Sequence, residues 1–255
     1  MLDDSPVQIG IPARMPVGDD NLSREEARIA AVYARRATQA VRGRYSFFNR
    51  AYLLALQQRE RRVLGLLEQE GFQPLEEKKI IEVGCGTGHW IRDFIRWGAR
   101  PENPAGVDLL PDSIAKAGIL CPPGVTLRCA SAAALDFPDD TFDLVLQSTV
   151  FTSILDDGLK RRIAAEMLRV LKPDGAILWY DFLVNNPWNP DVRGVKKSEI
   201  RRLFAGCCIR LERITLAPPI ARRLARWCWP LCCLLEKVPL LCTHYLGAIR
   251  KGTGD

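Results

Sequence analysis

Through the middle of the chain, short unbroken apolar runs alternate with stretches whose apolar residues recur every three or four positions. The runs at 80–83, 105–108, 124–129, 142–147 and 175–182 read as strands, and the stretches at 88–98, 111–119 and 157–171 read as helices. Strands without polar alternation are expected where helices cover both faces of a sheet, so this order predicts an α/β fold with a doubly wound parallel sheet. Two further strands are expected at 208–216, where apolar and charged residues alternate, and at 243–250, which brings the sheet to seven, mostly parallel. Between them, 217–242 reads as a helical insertion broken by Pro230 and Pro239. Ahead of the sheet the periodicity is helical from Ser23 to about Gly71, with Ser23 and Glu26 spaced as a capping box, and Arg44-Tyr45-Ser46-Phe47-Phe48-Asn49 interrupts it. This divides the chain into a flexible N-terminus (1–20), a helical cap (21–78), a core (79–183) and a C-terminal part (184–255). The last comprises a loop, the final two strands and the insertion, all in the same domain as the core.

Candidate chemistry concentrates in Ile80-Ile-Glu-Val-Gly-Cys-Gly-Thr-Gly-His-Trp90. A buried strand ends in an acid and then in Gly84, Gly86 and Gly88 at alternate positions, the form of a sharp turn into a helix. Free N–H groups at a helix start and glycines that let a ligand touch the backbone make such a turn a nucleotide-type site. A tight turn in any α/β protein would look similar, so the spacing has to decide. It is G-x-G-x-G, not the G-x-G-x-x-G of the dinucleotide fold, and no G-x-x-x-x-G-K-[ST] phosphate loop is present.

With Glu82 two residues ahead of the first glycine, the segment resembles the first motif of the class I S-adenosyl-L-methionine (SAM) methyltransferases. The resemblance implies a Rossmann-like fold, SAM as cofactor and S-adenosyl-L-homocysteine as product. It sets Gly84, Cys85, Gly86 and Gly88 against the amino-acid part of the cofactor, with Glu82 acting through its charge and by ordering the turn. Gly106-Val-Asp-Leu ends the second strand on Asp108, about twenty residues beyond the glycines, where the family uses an acid for the ribose hydroxyls and where Leu109 follows. Cys129-Ala-Ser-Ala-Ala-Ala-Leu-Asp-Phe-Pro-Asp-Asp-Thr-Phe-Asp143 resembles the third and fourth motifs, which puts Ser131 and Ala132 at the adenine, although most relatives have Asp where this chain has Ser131. Gln147, at the end of the fourth strand, completes the implied cofactor set. The turn Lys172-Pro-Asp-Gly175 matches the one that precedes the family's fifth strand, and the resemblance spans roughly 79–182.

Composition adds limits. The chain has 255 residues, 47% apolar and 26% charged, ordinary values for a globular domain. No basic-then-apolar leader opens it, and its nine cysteines are odd in number, so reduced thiols and a cytoplasmic protein are expected. Cys228, Cys232, Cys233 and His244 lack any C-x-x-C spacing, so no metal site is expected. The net charge of +6 is uneven: residues 1–65 carry 11 Arg against 7 acids, and residues 184–255 carry 13 Lys/Arg against 5. Basic flanks around an acidic middle favour an anionic substrate or an anionic membrane surface.

The acceptor side is less defined. His244 and Asp181 are the two candidate general bases, each weighed against a structural role. Tyr45 and Tyr52 of the cap, Arg193 of the loop after the fifth strand and Trp227 of the insertion are the candidate substrate contacts. The insertion allows three readings: a lid over the active site, a peripheral membrane contact, or a homodimer contact. Its uncharged run, Trp227 to Leu235, is nine residues and falls well short of the ~20 needed to cross a bilayer. Gln147-Ser148-Thr149-Val150 stands where nucleic-acid amine methyltransferases carry Asn/Asp-Pro-Pro-aromatic, so nucleic acid is disfavoured as a substrate; the basic flanks alone keep RNA open. The expectation is therefore methyl transfer to a small or lipid-linked acceptor, at an oxygen in a natural product, quinone or saccharide. Nitrogen or carbon acceptors, or a silent SAM-binding protein, are the alternatives.

Overall fold

A computed structural model describes residues 8–10, 20–38, 43, 45–186 and 189–252. In chain order the elements are β1 (Gln8–Gly10), α1 (Asp20–Thr38), α2 (Arg50–Gln69), β2 (Ile80–Val83), α3 (His89–Arg96), β3 (Pro104–Asp108), α4 (Pro111–Leu120), β4 (Thr126–Cys129) and β5 (Phe142–Ser148). There follow α5 (Asp157–Val170), β6 (Leu171–Phe182), α6 (Lys197–Leu203), β7 (Cys208–Leu216), α7 (Pro218–Leu224), α8 (Trp229–Leu235) and β8 (Cys242–Arg250). The strands form one sheet in the order β1-β4-β3-β2-β5-β6-β8-β7, parallel except for β8, which runs antiparallel to both β6 and β7.

Successive residues of the central strands point to opposite faces, and both faces are covered. Ile81, Val145, Ile177 and Trp179 pack with Leu159, Ile163 and Met167 of α5. Their neighbours Ile80, Leu144, Leu178 and Tyr180 pack instead with Val63 and Leu67 of α2 and with Trp90 and Phe94 of α3. The unbroken apolar character of these strands follows from this two-sided burial, worth ~2 kcal/mol for each large side chain withdrawn from water. Lys160 is fully buried beneath α6 and is paired there with Glu199 at 2.7 Å.

Seven strands stand where the apolar pattern puts them, and β1 adds an eighth, three residues long, at the edge beside β4. It lies inside the stretch expected to be flexible, most of which is outside the described residues. α1 starts at Asp20, so Ser23 lies within the helix and no capping box with Glu26 marks its start. α6 was not signalled by the pattern because its seven residues hold a single buried side chain, Ile200. From β2 the chain passes outward to β3 and β4, then returns across β2 to β5 and β6. The carboxyl ends of β2 and β5 therefore flank a switch point, the place where open α/β sheets bind ligands.

Candidate active site

β2 delivers the chain to this crevice, and the glycine turn carries it into α3. Gly84, Gly86 and Gly88 have φ values of 69°, 53° and 72°, in the left-handed region that a β-carbon disfavours. A β-carbon would lie 2.5 Å from Val150 Cγ2 at Gly84 and 2.5 Å from Cys121 Sγ at Gly88, but would meet nothing within 4 Å at Gly86. Packing alone therefore requires the outer two glycines. The middle one leaves an open cradle on a cavity of about 310 Å³, lined also by Gly84, Asp108, Leu109, Ser131 and Ala132.

Asp108 ends β3 with its carboxylate held by the turn: Gly86 N–H donates to Oδ2 at 2.8 Å, and Leu110 N–H donates to Oδ1 at 2.9 Å. Burial raises its pKa against the opposing effect of these two amides. Each oxygen keeps lone pairs to spare, so the group can still accept from a pair of hydroxyls. Glu82 lies beneath the turn, buried, and its Oε2 has no hydrogen-bond partner. Burial first, and the Asp108 charge second, push its carboxyl well above the usual carboxylate range. Buried Glu82 beneath the turn and half-buried Asp108 on the cavity wall form a site in which a bound cation would favour their charged forms.

At the far end of the cavity Ser131 is not alone. Its hydroxyl donates to Glu26 Oε1, a residue of α1 that also lines the cavity. The carboxylate that Ser131 lacks is thus supplied from 105 positions earlier in the chain. α1 is held in place for this by Glu25, which accepts from Leu155 N–H at 2.6 Å, by Arg28, which donates to the Ser153 carbonyl at 2.6 Å, and by a 3.0 Å bond between Tyr33 and Ser153. Glu26 was legible only as a cap, because nothing local in the sequence couples it to Ser131.

A second, larger cleft of about 1410 Å³ shares Tyr33, Leu110, Ser113, Thr149 and Ser153 with the first. Arg36, Lys116, Phe182 and Asp191 line its outer part, and Tyr45 stands at its wall. α1 is tied to the far wall by Arg35, 2.5 Å from Asp191, and by Arg36, 3.4 Å from Asn189. Thr149, on the shared wall, has a φ of 59°, a conformation that is strained for a β-branched residue and is held by a hydrogen bond from its N–H to the Tyr180 carbonyl.

Several expected site residues lie elsewhere. His244 is buried in β8, stacked on Tyr180 at 4.8 Å and packed on Phe182 at 3.9 Å, and it lines neither cavity. Desolvation, with Arg59 adding to it, lowers its pKa to about 3, so it is neutral and a poor base near neutrality. Asp181 is fully buried and accepts from Thr152 Oγ1 at 2.7 Å, Thr152 N–H at 3.2 Å and Phe182 N–H at 2.8 Å. It braces the turn that carries Thr149 to Ser153 and lines neither cavity, and burial pushes its pKa up to about 7. Cys85 turns inward and packs with Ile91, Ile114 and Leu127, and its N–H is taken by the Val107 carbonyl. Gln147 is fully buried, accepting from Val150 N–H at 3.3 Å behind the cavity wall.

On the acceptor side, Arg193 pairs with Asp157 at 2.9 Å and Glu199 at 3.1 Å, away from the cleft. Tyr52 packs edge-on against Tyr45 at 5.6 Å without lining either cavity, so Tyr45 alone of the pair reaches the cleft. Trp227 is 78% exposed. No residue of 217–242 lines either cavity: the insertion packs through Ala221, Ala225 and Cys232 on Leu54 of α2 and Leu216, so it is no lid over this site.

A family model described as a methyltransferase domain matches residues 80–175. The 2-methyl-6-phytyl-1,4-hydroquinone methyltransferase of Synechocystis sp. is 35% identical over 106 residues, 40% of this chain and 31% of that protein. The ubiquinone/menaquinone biosynthesis C-methyltransferase of Geobacter sulfurreducens is 30% identical over 146 residues, 54% of each chain. This chain thus spans about half or less of these curated relatives. Among solved structures, the 1,6-didemethyltoxoflavin-N1-methyltransferase of Burkholderia thailandensis, with bound S-adenosylhomocysteine, shares the fold over 94% of both chains at a TM-score of 0.60 and 16% identity. With the glycine turn, its preceding acid and the open cradle at the switch point, residues 80–175 carry a methyltransferase domain whose cofactor is S-adenosyl-L-methionine.

Proposed function

We propose that this protein transfers the methyl group of SAM to an oxygen of a small, lipid-linked acceptor, one acidic enough to react as its anion. The observation that carries the reading is the junction of the two cavities: the one behind the glycine turn opens across Tyr33 and Thr149 into a cleft large enough for a second molecule. Asp108 would hold the ribose hydroxyls, Glu26 and Ser131 the adenine amino group, and Gly84 with the Gly86 cradle the methionine end. Glu82, beneath the turn, would answer the positive charge of that end. The cofactor supplies an activated methyl group on a sulfonium.

The protein's own task is then to hold the acceptor in line and keep water out. Tyr33, Leu110 and Thr149 stand at the junction where the two molecules would meet. Arg36 and Lys116 line the cleft and make no ion pair among the described residues. Two such cations favour an anionic acceptor and lower the pKa of an acidic hydroxyl. This removes the need for a general base, a role for which His244 and Asp181 are wrongly placed. The names of the Synechocystis and Geobacter relatives, a phytyl-hydroquinone methyltransferase and a quinone-biosynthesis C-methyltransferase, support an acceptor of the quinol class that carries an apolar tail.

Titration calorimetry with SAM, followed by transfer of labelled methyl to a panel of phenols, quinols and hydroxy acids, tests the reading. Binding of SAM and label on oxygen are expected. Failure to bind SAM overturns the whole reading, and label on carbon or nitrogen overturns the acceptor atom.

A further inference from the structure

The insertion that does not cover the active site has an unusual outer surface. Leu231 and Leu234, three residues apart on α8, are exposed on the same side of the helix, and Trp227 in the turn before it and Val238 just beyond its end are exposed as well. The opposite face carries Cys232 into the small core against α2. Leu240, 83% exposed, extends the patch. Five of the twelve exposed large apolar side chains among the described residues lie in this segment, and Tyr45, Phe47 and Phe48 add three more. The two groups adjoin: Arg50, which begins α2 just after Phe48, donates to the Arg226 carbonyl at 2.8 Å.

Charge adds to this patch. Many exposed arginines of the protein are tied to acids, as in Arg62 with Glu212, Arg96 with Glu60, and Arg100 with Glu76. Arg222, Arg223, Arg226 and Lys237, which flank the apolar stripe, make no ion pair among the described residues, and Arg226 lies 4.7 Å over the Trp227 ring. An exposed stripe with tryptophan at its edge and unpaired cations beside it matches the interfacial zone of an anionic bilayer, where acyl chains accept the stripe and headgroups answer the cations. No helix among the described residues is long and apolar enough to cross a membrane, which leaves contact in the plane of the surface.

We propose that the 217–242 insertion, together with Phe47 and Phe48, docks this protein on an anionic lipid bilayer. Tyr45 belongs both to the exposed aromatic group and to the wall of the acceptor cleft, so docking brings that wall to the lipid surface. Only this last consequence rests on the proposed methyl transfer. Docking itself stands apart from it and is tested without cofactor or acceptor.

The test is cosedimentation of the full chain with phosphatidylcholine vesicles, with and without phosphatidylglycerol. Binding is expected only with the anionic lipid and should weaken as salt is raised. Replacing Arg222, Arg223 and Arg226 together by Gln should weaken partition on the order of 100-fold. The Trp227→Ala, Leu234→Ala double variant should weaken it by about tenfold or more. Far-UV circular dichroism and thermal unfolding of the same variants read whether the fold is intact. Absence of wild-type binding to anionic vesicles, or equal binding by all three proteins, overturns the proposal. So does light scattering that shows a dimer converted to a monomer by the double variant, since the occupant of the stripe would then be a second copy of this chain.

Discussion

The cofactor side and the acceptor side of this crevice are built in different ways. The first is made from consecutive residues: a strand end, a glycine turn and the carboxylate of the next strand, each clamped to the others by backbone amides. The second is assembled from α1, the end of β6 and the loop beyond it, segments separated by well over a hundred residues and joined by side chains. A site made from backbone conformation tolerates little change in its residues. A site made from side chains brought together by packing can change its chemistry without touching the turn, and Glu26 joining Ser131 across the boundary is such a change.

Substitutions can break this contrast, and the largest effect belongs at Asp108. Asp108→Ala removes a charged acceptor and frees the Gly86 and Leu110 amides, so SAM affinity in calorimetry should fall by about 100-fold or more. Near-wild-type affinity would remove Asp108 from the cofactor site. Asp181 provides a pH test of the acceptor side. Its folded pKa, about 7, lies above the ordinary 3.8, so the folded protein binds the proton more readily than the unfolded chain does. That contribution is fully present below the ordinary value and is lost as pH rises through about 7. Asp181→Asn should therefore cost up to a few kcal/mol in denaturant unfolding at about pH 5 and less at about pH 8. A cost that grows with pH would contradict the burial of this group.

The glycines separate packing from ligand binding. Gly88→Ala forces a β-carbon against Cys121 at a positive φ, and should lower stability by ~2–3 kcal/mol in the same assay. Gly86→Ala meets open space, so it should cost ~1 kcal/mol in stability and show its larger effect on SAM binding. At the boundary, Glu26→Gln should weaken SAM binding about tenfold, and Ser131→Ala less, because a charged acceptor is worth more than a hydroxyl. Equal effects would mean that Glu26 only anchors α1. His244→Phe should have the smallest effect: kcat/KM within about threefold and an unchanged pH profile, as expected for a group outside the cleft. A lost basic limb would return His244 to the chemistry.

Much of the cofactor side was legible because its determinants are local. An apolar run ending in Glu82, three glycines forced to positive φ, and an acid at the end of the following strand each carry their conformation in neighbouring residues. The strands were legible for the related reason that burial on both faces demands unbroken apolar runs. What misled were residues of suitable chemistry in suitable sequence positions. His244 and Asp181 stand at strand ends near the crevice, yet each is withdrawn from it, one under aromatic rings and the other behind Thr152. Arg193 lies in the right loop but turns to the acids of α5 and α6. Thr149 passed unmarked as a site residue because strain in a β-branched residue has no signature in its neighbours.

By itself, then, the chain determined a doubly wound sheet and a glycine turn suited to SAM, since periodicity and backbone preference act over a few residues. Only the tertiary structure decided that Glu26 joins Ser131 on the pocket wall, that Arg36, Lys116 and Thr149 line the larger cleft beside it, and that 217–242 turns its tryptophan and leucines outward. Those outcomes depend on which distant side chains become neighbours and on which are cut off from water, and no local pattern encodes either.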